Sequence, residues 1–374
     1  MMQAPRNAAA PYRHVDLTLL LSTIGIAAIG VLMVFSATRQ KQETAGLDPA
    51  FFLKRQAVFL LLGLVAMALV ALVDYRRIRD FAPILYGGAV LALLLVISPI
   101  GTSRRGTQAW FQIGSFQFQP SEVAKVVLII GLAAVLAGAR GSLETTGVLT
   151  ALGLAFVPMA LIYIQPDLGT NMVFAAVVIA VLLVAGARPR HIAVLALLGI
   201  TAIVLVVELG MLQDYQRDRL TAFLDPQSDS QRSSYNLRQS QIAIAAGGVS
   251  GRGLFQGTQT NLSFVPEQHT DFIFTAVGEE LGFIGGLSLL GFFGVLVWRI
   301  WRAAVLARDQ FGRLVCVGVL AMLVFQIFEN VGMTMGITPI TGIPLPFMSY
   351  GGSAMIASCM GIGLVLNVHM RRFT

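Results

Sequence analysis

Charge is scarce in this chain. Of its 374 residues only 12% are Asp, Glu, Lys or Arg, about half the ~25% of a soluble domain. That scarcity excludes an ordinary soluble enzyme. Histidine is scarcer still, with four copies, and no His/Cys/Asp/Glu spacing matches a zinc site. No Gly-x-Ser-x-Gly elbow is present. The net charge of +7 brings no basic stripe with interleaved aromatics, so nucleic acid is excluded as a partner, and a membrane protein has its own reason to be basic. The two cysteines, Cys316 and Cys359, both lie in apolar stretches and are read as helix-packing residues that say little about redox compartment.

What the chain has instead is apolar sequence: 56% hydrophobic residues and a mean hydropathy of +0.77. Length alone allows about two domains, but the composition predicts one all-α polytopic membrane domain over 1–374. A spanning helix needs about 20 apolar residues. About ten such segments occur, at 16–38, 56–74, 81–99, 121–138, 145–164, 170–186, 190–210, 271–298, 312–335 and 347–368. The first is too long for a signal-peptide core and is read as a retained helix. No internal repeat supports the inverted-repeat logic of transporters.

Lys and Arg in the short connections set the orientation. One side collects Arg6, Arg13, Arg76, Arg77, Arg79, Arg140, Arg188, Arg190, Arg299, Arg302, Arg308, Arg313, Arg371 and Arg372, whereas the short loops opposite hold Arg39, Lys41, Lys54, Arg55, Arg104 and Arg105. Both termini are therefore predicted cytoplasmic. The long link at about 211–270, between spans seven and eight, is predicted extracytoplasmic and ordered, since it alternates apolar and polar residues.

Ionisable residues within spans are costly and mark function by default. "QPSEVAK" (119–125) opens span four. Pro120 suits a first helical position, Glu122 and Lys125 share a face, and Lys125 sits roughly 9 Å below the helix start. The pair, with Gln119 and the nearby Trp110, reads either as an ion-pair brace beside an interfacial tryptophan or as part of an extracytoplasmic polar cavity. "QPDLGT" (165–170) reads either as a turn with Asp167 capping span six or as a carboxylate facing that cavity. In the long link, "DYQRDRL" (214–220) mixes charges, 234–248 reads as an amphipathic helix ended by glycine, and "GVSGRGLFQGT" has the composition to cradle phosphate through backbone N–H groups or to serve as a flexible connector. "FVPEQHTDFIF" (264–274) puts Glu267, His269 and Asp271 at the mouth of span eight, with Glu279 and Glu280 about two turns deeper. Gly282 and Gly286 read as a small-residue packing face. "GITPITGIPLPFMSYGGSA" (336–354) holds too many prolines for helix. Such backbone is tolerated near membrane depth only against protein or a wet cavity.

Together "GTQAWFQIGSFQFQPSEVAK", "QPDLGT", "YNLRQSQIAI", "GTQTNLSFVPEQHTDFIF", "GEELGFIG" and "PLPFMSYGGSA" resemble, in order and spacing, the SEDS family (shape, elongation, division and sporulation). The resemblance runs from 35–38 to 351–354. It is closer to the rod-shape-determining RodA branch than to the division branch, FtsW. It implies a ten-helix peptidoglycan glycosyltransferase that polymerises lipid II on the outer face of the bacterial cytoplasmic membrane and releases polyprenyl pyrophosphate. The implied partners are a class B penicillin-binding protein and the elongation machinery. The family's essential aspartate maps onto Asp271, its Gln-Pro-Ser-Glu glutamate and lysine onto Glu122 and Lys125, and its Gln-Pro-Asp aspartate onto Asp167. Ala109 and Gln117 stand where members often carry basic residues, which leaves Arg104, Arg105, Arg217, Arg219 and Arg252 as candidates for the pyrophosphate.

Asp271 is expected as general base or as ligand to a divalent cation, Mg or Mn. Lys125 would add charge, Glu122 would place it, and Glu267 would shape the site. A single dominant carboxylate predicts direct displacement with inversion. A lipid II flippase, to which Glu279, Glu280, Glu329 and Asn330 lend polar lining, and a non-enzymatic scaffold for the penicillin-binding protein are the alternatives.

Overall fold

A computed structural model describes residues 14–104, 107–114, 116–138, 143–210, 216, 217, 219, 221, 223 and 233–373. Arg6, Arg13, Arg105, Arg140 and parts of the 214–220 stretch lie outside them. Helices occupy all ten predicted segments: α1 (Leu17–Thr44), α2 (Phe51–Leu72), α4 (Ala82–Ile97), α5 (Pro120–Leu136), α6 (Thr145–Ile164), α7 (Leu168–Val184), α8 (Pro189–Glu208), α11 (Ile273–Val305), α12 (Gln310–Met335) and α13 (Gly352–Met370). Seven of these are long and apolar enough to cross a membrane, while α4, α5 and α7 are shorter, at 16, 17 and 17 residues. Shorter helices are α3 (Tyr75–Asp80), α9 (Ser233–Gly247) and α10 (Thr258–Asn261). A small antiparallel meander, β1 (Thr102–Arg104), β2 (Thr107–Ile113) and β3 (Phe116–Phe118), joins α4 to α5.

The helix ends meet in two groups. At the end predicted cytoplasmic, Asp16 caps α1 by accepting from Leu19 N at 3.0 Å and takes Arg299 Nε of α11 at 2.8 Å. Buried Arg371 donates to the last carbonyls of α2, Ala71 O at 3.0 Å and Leu72 O at 2.8 Å. These are the groups a helix C-terminus leaves without partners. Tyr75 donates to Asp309 at 2.7 Å, and burial holds its phenol up at about 12.

Close packing rests on small residues. A Cβ on Gly363 would lie 2.6 Å from Met67 O, and one on Gly63 would lie 2.9 Å from Cys359 Sγ, so α13 and α2 approach backbone to backbone. Cys316 and Cys359 are both fully buried, as packing residues should be.

Helix α11 breaks at Gly282, whose φ of 66° and ψ of −165° are non-helical. A break orphans backbone groups, and here the glycine-rich segment takes them up. Arg252 N and Gly253 N donate to Glu279 O and Glu280 O at 3.0 Å each, while Phe283 N and Ile284 N donate to Gly248 O and Val249 O at 2.9 and 3.1 Å. Gly282 is thus more than the packing residue the sequence implied. Gly282→Ala would place a Cβ 2.2 Å from Gly251 N in a positive-φ backbone region essentially restricted to glycine, at a further cost of ~1–3 kcal/mol. A Cβ on Gly286 meets nothing nearer than Phe274 Cζ at 3.5 Å. Gly282→Ala is therefore expected to lower the thermal midpoint in detergent and to speed amide exchange over 248–253. Gly286→Ala is expected to do neither, and equal midpoints for the two variants would contradict this.

Candidate active site

At the other end of the bundle the chain leaves helix between α12 and α13. Helix α12 stops at Gly336, which is left-handed at φ 78°, and its orphaned carbonyls are used: Ile337 N donates to Gly332 O at 2.8 Å, Ser240 Oγ to Thr334 O at 2.6 Å and Gln241 Nε2 to Met335 O at 3.1 Å. The last two donors come from α9, the amphipathic helix predicted in the long link. From Ile343 to Ser349 the segment is mostly buried against protein. Ile343, Leu345, Phe347 and Met348 are at most 3% exposed, α1 approaches so closely that a Cβ on Gly30 would lie 2.5 Å from Phe347 O, and Gln56 Nε2 of α2 donates to Ser349 O at 3.1 Å. This satisfies the requirement placed on non-helical backbone near membrane depth.

Asp271 stands just before α11 in a compact turn. Glu267 adopts φ 53°, and its carbonyl accepts from Thr270 N at 3.1 Å and Asp271 N at 3.2 Å. Glu267 therefore shapes this loop through its backbone. His269 ties the loop to the segment after α12, because its carbonyl accepts from Tyr350 N at 2.8 Å and its ring packs against Phe52 and Tyr350.

The irregular stretch 341–343 is where the predicted residues converge. Gly342 is left-handed at φ 78°, and the point where its Cβ would sit lies 3.4 Å from Asp271 Oδ2 and 3.7 Å from Arg219 Nη1. The same Nη1 donates to Thr341 O at 3.0 Å. On α7, the corresponding point above Gly169 lies 3.1 Å from Thr341 O and 3.7 Å from Asp167 Oδ1. Asp167, Arg219 and Asp271 thus border one three-residue stretch. Asp167 also caps α7, accepting from Thr170 N at 2.9 Å and Thr170 Oγ1 at 2.8 Å, and takes Gln119 Nε2 at 3.4 Å. It is therefore a cap and a neighbour of the stretch at once.

Below Gln119 on α5, Glu122 and Lys125 form an ion pair at 2.8 Å, with side chains 5% and 3% exposed. Trp110 sits on β2, half-buried, its carbonyl accepting from Thr102 Oγ1 at 3.0 Å. Ala109 beside it is fully buried, and Gln117 donates to Gln112 at 3.1 Å.

Other candidates lie elsewhere. Arg217 is exposed beside Gly210, with Nη2 3.1 Å from where a Cβ there would sit. Arg252 is spent on Ala246 O at 2.8 Å. Arg104 contributes backbone to β1, and Arg105 lies outside the described residues. Of the two readings of the glycine-rich segment, flexible connector or phosphate cradle, neither holds: the Arg252 and Gly253 amides serve the broken helix α11, and the segment is an anchor. Glu279 accepts from Gln259 N at 2.7 Å, Thr260 N at 2.9 Å and Thr260 Oγ1 at 2.7 Å, which fixes α10. Glu280 accepts from Ser36 Oγ and, at 3.1 Å, from Phe255 N. Gly342 escaped the sequence reading, although "TGIP" is a turn signature that suits a left-handed glycine. The hydrogen bonds of Asn330 escaped it too, since they join distant segments.

Comparison with known proteins agrees with this architecture. The family model for cell cycle proteins of the FtsW/RodA/SpoVE type matches residues 17–373. A probable peptidoglycan glycosyltransferase FtsW of Geobacter metallireducens is 38% identical over 359 residues, 95% of each chain. The peptidoglycan glycosyltransferase MrdB of Escherichia coli K12, a RodA protein, is 38% identical over 362 residues, 96% of this chain and 94% of that one. Identity therefore does not separate the rod-shape branch from the division branch. A solved chain described under structural coordination of polymerization and crosslinking by a peptidoglycan synthase complex superposes with a TM-score of 0.82 at 35% identity, covering 96% of this chain and 99% of that one. The chain is a polytopic membrane protein and belongs to the SEDS family of FtsW, RodA and SpoVE.

Proposed function

We propose that the chain is a peptidoglycan glycosyltransferase that polymerises lipid II at the outer face of the bacterial cytoplasmic membrane, with Asp271 as its catalytic carboxylate. The observation that carries the reading is the approach of the Asp271 carboxylate and the Arg219 guanidinium to one point above side-chain-free Gly342. The reaction needs a base for a sugar hydroxyl and positive charge for a departing diphosphate.

In the proposed step, a hydroxyl of one sugar attacks the anomeric carbon of another. The hydroxyl proton passes to Asp271, the new C–O bond forms as the bond to diphosphate breaks, and polyprenyl pyrophosphate leaves with the bonding pair. One displacement inverts the anomeric centre. Arg219 would take up the departing charge, with its guanidinium held by Thr341 O.

Among the described residues no three His, Cys, Asp or Glu side chains gather into a metal cluster. The donor set fits a magnesium or manganese ion held by one carboxylate and by substrate phosphate oxygens rather than by an all-protein cage. In the alternative to the base role, Asp271 is the residue that would hold it, and the ion would neutralise charge on the diphosphate.

The partner in this reading is a class B penicillin-binding protein, supported by the likeness to a chain of a peptidoglycan synthase complex. A role with the elongation machinery rather than with division follows from the motif resemblance. A translocation path is less well supported, because Glu279 and Glu280 are engaged by α10, Ser36 and Phe255.

The test is purified chain with its partner and fluorescent lipid II in detergent, where a transporter leaves the substrate unchanged. Glycan polymer is expected, and bound but unpolymerised lipid II would contradict the proposal. Chelation is expected to stop polymerisation and added magnesium or manganese to restore it. An unchanged rate under chelation would leave the diphosphate to Arg219 alone.

A further inference from the structure

Asn330 lies in the last turns of α12 and is fully buried. Its side-chain amide has two N–H groups, and each goes to a different segment: Nδ2 donates to Asp271 O at 2.8 Å and to Ile343 O at 2.8 Å. Both partners are carbonyls, so the orientation of the amide is fixed by chemistry, since only nitrogen can face two acceptors. These carbonyls belong to the loop that carries Asp271 and to the stretch that carries Gly342. One atom on a rigid helix therefore fixes the separation of the two backbones whose gap holds the Asp271 carboxylate.

We infer that Asn330 is a positioning residue for the reaction, setting the Asp271 carboxylate against the 341–343 stretch through the two main-chain carbonyls. It touches no reacting atom. The inference rests on the glycosyltransferase reading for its consequence in rate, but the placement has its own readout.

The test uses the full chain with its partner and the variant Asn330→Leu, which keeps the approximate volume and removes both donors. With lipid II as substrate, kcat is expected to fall about a hundredfold, the effect of a ~1 Å misplacement, while KM changes little. Amide exchange is expected to quicken together in 267–272 and 341–345 and to stay unchanged in the first half of α12. A wild-type kcat, a loss carried by KM alone, or exchange that quickens throughout α12 would overturn the inference. If Asn330→Leu does not fold, Asn330→Ser, which retains one donor, is read by the same criteria, with a smaller fall in kcat expected. Absence of polymer from the unsubstituted chain would refute the glycosyltransferase reading. The paired change in exchange still decides whether Asn330 sets the geometry.

Discussion

Asp271→Asn is expected to abolish glycan polymerisation while leaving the protein folded, inserted and bound to its partner. The substitution keeps the size and shape of the side chain and removes its charge and basicity. Positioned general bases contribute about 10²–10⁴-fold in rate, so residual polymerisation is expected at or below about 1%. The anchor of this residue survives the change, because Asn330 and Glu267 bond its main chain and not its carboxylate. A thermal midpoint and partner co-purification equal to wild type are therefore part of the prediction. Wild-type polymerisation by the purified variant would refute the role of Asp271.

The second large effect is expected at Lys125. Removing one member of a buried ion pair strands the other, at a cost of about 3–5 kcal/mol. Glu122 and Lys125 are 4% and 3% exposed and face each other at 2.8 Å, so Lys125→Ala is expected to lower the thermal midpoint sharply and to eliminate polymerisation. The double variant Glu122→Leu with Lys125→Leu separates two causes. Replacing a buried pair by apolar residues is often neutral for stability, so the midpoint should recover. Activity should not recover, because the pair lies just below Gln119, whose amide reaches Asp167 beside the 341–343 stretch. Recovery of both would make the pair a brace and nothing more.

The membrane helices were legible because hydrocarbon thickness imposes a length and a composition that sequence cannot disguise. Their ends were less so: α1 runs on to Thr44 and α11 to Val305, since a helix continues past the apolar boundary while its own hydrogen bonds hold. The meander at 102–118 went unseen because two of its strands have three residues each, too few for an alternation to register.

Asp271 announced itself as a charge at the mouth of an apolar run, and Asp167 as a turn carboxylate. Gly342 and Asn330 did not, because their meaning lies in what approaches them from elsewhere in the chain. The same blindness produced the misreading of the glycine-rich segment. Its amides looked available for phosphate until the break at Gly282 exposed the carbonyls they serve. Local patterns predict elements, whereas a site assembled from several separated segments depends on contacts that no single window contains.

The most direct test of the central claim is a structure of the Asp271→Asn chain with its partner, trapped with lipid II. A sugar hydroxyl is expected within about 2.6–3.2 Å of the residue 271 side chain, the reach a general base requires, with the diphosphate on the Arg219 side of Gly342. A reacting sugar and diphosphate bound away from the 341–343 stretch, with residue 271 touching neither, would contradict it.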